Sequence, residues 1–196
     1  FKSRESFMSR KGENGKVDPI KKVKDIKAIK SILRDKPRDL TLFTIGINTN
    51  LRASDLCRIK VGMVKDLKPG DDFVLIEKKT GKERRVSLNA ACVHVIQNLL
   101  KSGDYKDTDQ LLKGRRGDIK TTTIIYLIKQ WTSAINLSGN YGSHSLRKTW
   151  GYHQRKRFGV DIPTLMVMFN HSSQKQTLDY LCIQPQEIQD VYMNEL

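Results

Sequence analysis

The chain has 196 residues, a length that suits one domain with short appendages. Its 36 lysines and arginines against 21 aspartates and glutamates give a formal net charge of +15, which favours a polyanionic partner and nucleic acid first. An anionic membrane is the alternative, but no apolar run approaches the roughly 18 residues of a spanning helix, and no signal peptide is recognisable.

The first part of the chain is predicted to be a lead-in followed by two helices. Residues 1–17 are basic, contain glycine and show no periodicity, which favours a flexible linker. Asp18 is suited to cap the first helix, and a second helix is predicted to start near Asp39. The apolar residues at helical spacing are Ile20, Val23, Ile26, Ile29 and Leu33 in the first helix, and Leu40, Phe43 and Ile47 in the second.

Residues 48–88 break this helical pattern. Asn48 and Asn50 suit a turn, and Ser54 or Asp55 is suited to cap a short helix. A β-hairpin is predicted next, because an apolar run and an alternating segment flank a tight turn. Its parts are Phe73–Ile76, Thr80-Gly81 and Arg84–Leu88.

From Asn89 onward the periodicity is helical again, so the predicted fold is mainly α with a small peripheral antiparallel β-sheet, an α+β class. The apolar faces are Ala91, Val95 and Leu99, then Ile124, Ile128, Trp131 and Ile135. Cys57, Cys92 and Cys182 are isolated, so they are predicted to be core or surface thiols in a reducing compartment, with no disulfide and no metal site.

Three pieces of sequence can carry chemistry. His144 and Arg147 stand at i and i+3 at a helix start, where an imidazole and a guanidinium can bind one phosphate. Arg52 lies in a turn between apolar helices, and His171 precedes a short helix that bears Tyr180. Each piece alone has an ordinary explanation, because such pairs are usually solvated helix faces and such tyrosines usually pack.

Together, in this order, these pieces resemble the tyrosine recombinase (phage integrase) family. The family's boxes read roughly TGLRxSEL, HxLRHTxAT and LGHSSxxTTxxYL. Here they appear as residues 48–56 around Arg52, residues 144–152 from His144, and residues 169–181 from His171 to Tyr180, which stands nine residues after that histidine. The hairpin turn KKTGK, residues 78–82, is similar to the turn that carries the family's catalytic lysine.

The resemblance implies a metal-free and cofactor-free attack on a DNA phosphate. Arg52 and Arg147 would stabilise the charged transition state, and His144 and His171 would add hydrogen bonds. Tyr180 would form a 3′-phosphotyrosyl link after losing its proton, with His144 as a candidate acceptor.

The resemblance also assigns supporting residues. Lys79, just before the turn, is preferred over Lys78 and Lys82 as the donor to the leaving 5′ oxygen; the alternative is a hairpin tip that only touches phosphates. Asp55 would support the site without taking part in the chemistry. The expected contacts to the DNA backbone are Lys78, Lys82, Arg84 and Lys148.

The sequence departs from the family pattern in four places. Asn50 and Asn170 replace glycines, and asparagine tolerates a left-handed backbone better than most residues. Lys148 replaces a common histidine or arginine. Gly151-Tyr152 replaces a pair of small residue and threonine, and is expected to loosen the helix beneath the site.

The expected organisation is a catalytic domain at residues 18–182 and a tail helix at 183–196, opened by Pro185, which docks on a neighbouring protomer or on its own domain. Family members carry a further DNA-clamping domain of about one hundred residues. The chain is therefore expected to be a fragment that is monomeric alone and binds double-stranded DNA weakly and with strong salt dependence. The full-length protein would be a homotetramer on DNA. It would be a cytoplasmic protein encoded by a bacterium, an archaeon or a phage.

Three functions remain open from the residues. The leading one is a site-specific recombinase that cleaves and rejoins DNA strands. A type IB topoisomerase-like nicking and closing enzyme shares its chemistry, and a non-catalytic DNA-binding module shares its fold.

Overall fold

The computed structural model describes residues 16–114 and 117–182. Most of the predicted lead-in and the whole predicted tail helix lie outside these residues. The described helices are α1 Val23–Ile32, α2 Pro37–Gly46, α3 Ala53–Leu56, α4 Val61–Val64, α5 Ala90–Lys101, α6 Thr121–Ala134, α7 Ser145–Phe158, α8 Ile162–Phe169 and α9 Gln174–Leu181. The strands are β1 Asp72–Ile76, β2 Glu83–Ser87, β3 Lys113–Gly114 and β4 Gly117–Asp118. The predicted mainly helical fold with a small antiparallel sheet is confirmed.

Helix α2 runs through the centre of the larger core. Its residues Leu42, Phe43 and Ile45 are fully buried, so it is surrounded on most sides by other elements. Trp131 of α6 meets Phe43 edge to face, with ring centroids 5.8 Å apart. Because α2 is held this firmly, the loop that leaves its carboxyl end starts from a rigid support.

The predicted hairpin forms from β1 and β2, which pair antiparallel from Asp72↔Ser87 to Ile76↔Glu83. Alternation places Phe73, Leu75 and Val86 on the buried face. Gly81 takes a φ of 67° in the turn, a region that glycine enters without cost. A second hairpin, β3 with β4, was not expected, because strands of two residues are too short to show any alternation.

A smaller apolar cluster lies under the carboxyl-terminal elements. It joins α7, α8 and α9 through Trp150, Leu165, Phe169 and Leu181. A Cβ at Gly151 would overlap Phe169 and Leu181, so the glycine lets α7 approach its neighbours closely. The expectation that Gly151 loosens this helix was wrong for that reason.

Two predicted helix caps are also wrong. Helix α1 begins at Val23 after Lys22, whereas Asp18 exchanges hydrogen bonds of 2.7 and 2.9 Å with the backbone of Asn140. Helix α3 follows Arg52 and has no side-chain cap, because Asp55 lies inside the helix and is fully buried. No helix within the described ranges is long and apolar enough to cross a membrane.

Candidate active site

Arg52 is placed by the turn that follows α2. Asn50 turns the chain with a φ of 55°, as its sequence position predicted, and Arg52 then occupies the first position before α3. Its Nη1 lies 2.8 Å from Glu77 Oε2 and 3.9 Å from Asp55 Oδ2, and only 13% of the side chain is exposed. Asp55 also accepts a 3.0 Å hydrogen bond from the Lys78 backbone, so this carboxylate joins the arginine to the hairpin.

Glu77 is a site residue that the motifs did not reveal. It lies 2.9 Å from Arg84 and accepts a 2.8 Å hydrogen bond from the Thr80 hydroxyl. Burial would raise the pKa of this carboxyl, but its contacts with Arg84, Arg52 and Thr80 outweigh burial and lower the pKa to about 2. The sequence did contain a signal for this residue. Phe73 and Leu75 alternate along a strand, and continuing that alternation places residue 77 on the buried face.

Arg84 consequently does not fit its expected role as a DNA contact. Its guanidinium pairs with the buried Glu77 carboxylate, and 16% of its side chain is exposed. The neighbouring Arg85 on the same strand is far more open, with 74% of its side chain exposed. Arg84 therefore helps to attach the hairpin to the Arg52 segment.

Arg147 lies inside the molecule on α7, with 4% of the residue exposed. Its Nε donates a 2.8 Å hydrogen bond to Asn50 Oδ1, and its Nη2 donates a 3.1 Å bond to the Phe169 carbonyl oxygen. Burial lowers its pKa to about 10, which still leaves the guanidinium charged at neutral pH. Both partners are neutral, so the positive charge is available to an anion.

His144 directly precedes α7 and contacts the tyrosine. Its Nδ1 lies 3.2 Å from the Tyr180 hydroxyl. Desolvation lowers the pKa of the ring below 6.5, and the charges of Arg147 and Lys148 lower it further. The imidazole is thus neutral at neutral pH and can accept a proton.

His171 reaches the site from the turn after α8. Asn170 has a φ of 56° there, again as its position predicted, and reverses the chain. The His171 ring stacks on Phe169 at 5.1 Å, and its Nδ1 lies 3.0 Å from the buried Thr177 hydroxyl. Because Thr177 occupies Nδ1, the ring is oriented with Nε2 left for a ligand.

Tyr180 is half-buried on α9 between the two histidines. Its ring lies 4.9 Å from Phe169 and 5.1 Å from His171. Desolvation raises the pKa of its hydroxyl to about 12, although the charges of Arg147 and Arg52 oppose the shift. The tyrosine is therefore protonated at rest and needs a proton acceptor before it can attack.

Lys148 does not lie on the surface that was expected to contact DNA. It is buried, with its Nζ 5.0 Å from the centroid of the Tyr180 ring and 3.5 Å from Cys182 Sγ. The ammonium thus packs against the face of the tyrosine, a cation–π arrangement. The expectation that Lys148 contacts the DNA backbone was therefore wrong, because its ammonium packs against the Tyr180 ring.

The three lysines of the hairpin turn are exposed but have different surroundings. The charge of Lys79 contributes to the lowered pKa of His144, after desolvation and the nearer cations. The charge of Lys78 acts instead on Cys57, and Lys82 borders a depression with Arg85 and Val167. Of the three, Lys79 is therefore the lysine whose charge acts on His144.

The assembled site offers two guanidiniums, two imidazoles and a phenol, and the charge of the Lys79 ammonium acts on it. These groups can stabilise a phosphate, supply a nucleophile and move two protons. In the described ranges, no group of three histidine, cysteine or acidic side chains is placed to hold a metal ion.

The pattern of the phage integrase family matches residues 21–187. The chain is 34% identical over 170 residues to YoeC, a probable integrase/recombinase of Bacillus subtilis (strain 168), covering 85% of this chain and 90% of that protein. It is 30% identical over 160 residues to the tyrosine recombinase XerC of Caldanaerobacter subterraneus subsp. tengcongensis, covering 79% of this chain and 44% of that protein.

Solved structures show the same fold. The XerA recombinase superposes with a TM-score of 0.72 at 20% identity, over 90% of this chain and 65% of that one. The XerH recombinase in a post-cleavage complex with palindromic difH substrate gives 0.72 at 15% identity, over 92% of this chain and 53% of that one. The chain thus spans most of YoeC and about half of the XerC and XerH chains.

Proposed function

This chain belongs to the phage integrase family and is a tyrosine recombinase catalytic domain, and we propose that Tyr180 is its nucleophile in cleaving and rejoining DNA strands. The observation that carries the proposal is the 3.2 Å contact between the Tyr180 hydroxyl and His144, beside the buried charge of Arg147. A tyrosine that only packs needs neither a histidine at its hydroxyl nor the nearby charge of a guanidinium whose two hydrogen-bond partners are neutral.

The scissile phosphate binds between Arg52 and Arg147, which donate to its non-bridging oxygens. His171 adds a hydrogen bond through Nε2, because Thr177 holds the other ring nitrogen. These donors oppose the charge that builds up on the five-coordinate phosphorus, the role that metal ions have in many other phosphoryl transfers.

Cleavage is an in-line displacement. The Tyr180 oxygen forms a bond to phosphorus, its proton passes to His144, and the bond from phosphorus to the 5′ oxygen breaks. Lys79 gives a proton to that leaving oxygen, so a free 5′ hydroxyl and a 3′-phosphotyrosyl link result. Attack by a 5′ hydroxyl from another strand reverses each step, and no external energy source is needed.

Double-stranded DNA is the partner of this domain. XerH and several integrases in the same structural group were solved bound to DNA. The chain has a formal net charge of +15, which suits binding to the phosphates of DNA. Lys78 and Lys82, both exposed on the hairpin, are proposed as contacts to the DNA backbone.

We further propose that this piece is monomeric alone and that the whole protein acts as a homotetramer on DNA, in the cytoplasm of the cell that holds the DNA. A neighbouring protomer would receive the segment at residues 183–196, which lies outside the described residues. The support is the sequence resemblance and the acidic character of that segment beside a basic domain.

The test uses a library of duplexes with a randomised centre and one nick, so that cleavage beside the nick releases a short strand and traps the covalent product. The wild-type protein should form a denaturant-resistant adduct enriched in one sequence. Tyr180→Phe should form none, whereas Tyr126→Phe, which alters an exposed tyrosine on α6, should react like the wild type.

Other results would change the assignment. Adducts spread evenly over the library would favour a nicking and closing enzyme. DNA binding without any adduct would favour a non-catalytic binding module.

A further inference from the structure

The two arginines of the site are held by different chemistry. Arg52 lies between the carboxylates of Glu77 and Asp55. Arg147 has no carboxylate within salt-bridge distance in the described part of the chain; its partners are an amide oxygen and a backbone carbonyl. Arg147 is consequently the guanidinium whose charge is least compensated before a phosphate arrives.

The amide belongs to Asn50, which stands at a position where the phage integrase family usually has glycine. The side chain is completely buried. Its Oδ1 accepts the 2.8 Å hydrogen bond from Arg147 Nε, and its Nδ2 donates a 2.7 Å hydrogen bond to the Met168 carbonyl oxygen. A glycine could supply the φ of 55° but neither of these bonds.

The carbonyls used here are the free ones at the end of α8. The last carbonyls of a helix have no partner within it. The Met168 carbonyl oxygen accepts from Asn50, and the Phe169 carbonyl oxygen accepts from Arg147. Asn50 therefore joins three segments that carry site residues: the turn before Arg52, helix α7 with Arg147, and the helix end that leads to His171.

We propose that Asn50 is a positioning residue that holds Arg147 in the orientation that receives the DNA phosphate. That Asn50 orients Arg147 rests on the geometry alone. That this orientation speeds DNA cleavage rests on the proposed function. The neutral amide oxygen orients Nε without cancelling the charge, which an aspartate would do. The amide donor at the same time ties the arginine to the His171 segment.

Asn50→Gly and Asn50→Asp separate these roles. Glycine adopts the same left-handed backbone, so the Asn50→Gly variant should fold. It removes both hydrogen bonds of the Asn50 side chain. Aspartate keeps the acceptor, removes the donor and adds a charge beside Arg147. Asn136→Gly is the matched control, because Asn136 has a φ of 53° in an exposed loop away from the site.

The first readout is the Nε–H resonance of Arg147 in ¹⁵N-labelled protein, assigned by its loss in Arg147→Lys. In the wild type and Asn136→Gly this proton should exchange slowly with solvent. In Asn50→Gly it should exchange about 10- to 100-fold faster, since the hydrogen bond to a charged group that protects it is gone. Asn50→Asp should keep the protection.

The second readout is the single-turnover rate of adduct formation at saturating duplex, with the sequence recovered from the wild-type library. Asn50→Gly should lower this rate about 10- to 100-fold, as expected for loss of a group that orients a reacting side chain, while DNA affinity stays near that of the wild type. Asn50→Asp should also be slow despite its protected Nε–H, because the carboxylate competes with the phosphate.

A wild-type rate and wild-type protection in Asn50→Gly would overturn the proposal. A fall in folded fraction with an unchanged rate per folded molecule would also overturn it, because Asn50 would then be only structural. If the wild type forms no adduct, the proposed function fails and the exchange of the Arg147 Nε–H alone decides whether Asn50 positions the arginine.

Discussion

Tyr180 and His144 touch, yet their pKa values are pushed far apart. The pKa of the phenol is raised to about 12, whereas the pKa of the imidazole is lowered below 6.5. Full proton transfer from the phenol to the imidazole is therefore strongly unfavourable in the resting site. The proton must move while the bond from oxygen to phosphorus forms, which keeps the tyrosine unreactive until a phosphate is bound.

The pH dependence of cleavage follows from His144. Because the neutral ring accepts the proton, the rate should be low in acid and rise as His144 loses its proton. The midpoint should lie below 6.5, since the folded site lowers this pKa. The measurement is the single-turnover rate of adduct formation against pH, and His144→Gln should be slow and lose this dependence. A rate that falls as the pH rises through this range would contradict the role of the base.

Lys79 can be tested through the leaving group. Lys79→Ala should slow cleavage about 100-fold, in the range for loss of a general acid. A substrate with sulfur in place of the bridging 5′ oxygen should restore the rate, because a thiolate leaves without a proton. Lys82→Ala, which removes a proposed DNA contact of the same hairpin, is the control: it should weaken DNA binding, but at saturating duplex it should cleave both substrates at the wild-type rate. Equal slowing on both substrates would assign Lys79 to DNA binding only.

For single residues, the sequence predicted which side chains form the site better than it predicted which partners they contact. Arg52, His144, Arg147, His171 and Tyr180 come from spaced motifs, and the fold brings them together. The positions of Lys148 and Arg84 were not predictable in the same way. A lysine or arginine is assumed to be solvated unless a partner is known. The partner of Lys148 is a tyrosine 32 residues away in sequence, and the partner of Arg84 is the Glu77 carboxylate directly after β1.

Among the elements, the β1–β2 hairpin depends most on a single buried group. Glu77 holds Arg84 of β2 and Arg52 before α3, and it is 7% exposed. The hairpin carries Lys79, so the same carboxylate positions the proposed general acid relative to the first arginine. The alternation along β1 indicates that position 77 points inward, but it does not identify Arg52 as the partner, because Arg52 precedes a different element.

Glu77→Gln should lower the free energy of unfolding by about 3 kcal/mol at neutral pH, because Arg84 loses its counter-charge and Arg52 keeps only the Asp55 carboxylate, 3.9 Å away. Since the folded state lowers this pKa from 4.5 to about 2, the stabilisation is present above 4.5 and is lost as the pH falls towards 2. Urea unfolding at several pH values measures both effects. Glu83→Gln, an exposed acid on the same hairpin, should change little. Equal stability of wild type and Glu77→Gln at neutral pH would contradict the link.

Gly151 tests the packing of α7 on α8 and α9. Gly151→Ala should destabilise the protein by about 1 to 3 kcal/mol, because the added methyl group overlaps Phe169 and Leu181 in a closely packed cluster. Adduct formation should also slow, since Phe169 lies under both His171 and Tyr180. Thermal unfolding measures the first effect, with Gly103→Ala in an exposed loop as control. An unchanged melting temperature would show that the helices separate easily.

The elements themselves were largely predictable. Periodicity located most of the main helices and the first hairpin, and Asn50 and Asn170 were correctly assigned to left-handed turns, whereas the left-handed Asn136 was not predicted. The starts of α1 and α3 were not, because Asp18 and Asp55 find partners far away in sequence. A cap is inferred from neighbours along the chain, whereas the fold offers each aspartate a stronger tertiary contact.

For the whole molecule, the net charge of +15 favours attraction to a large polyanion. Attraction of this kind gives little sequence preference by itself, because contacts to phosphates position DNA without reading bases. The choice of a DNA site therefore needs contacts to base edges in addition to this attraction.

If Tyr180 is the nucleophile, the phosphate of the trapped adduct is bound to the oxygen of this one tyrosine. Digestion of the adduct with nuclease and protease, followed by mass spectrometry, identifies the modified peptide. A single nucleotide-bearing peptide is expected, linked through the Tyr180 oxygen and absent from Tyr180→Phe. A phosphoryl link on any other residue, or an adduct that persists in Tyr180→Phe, would contradict this role of Tyr180.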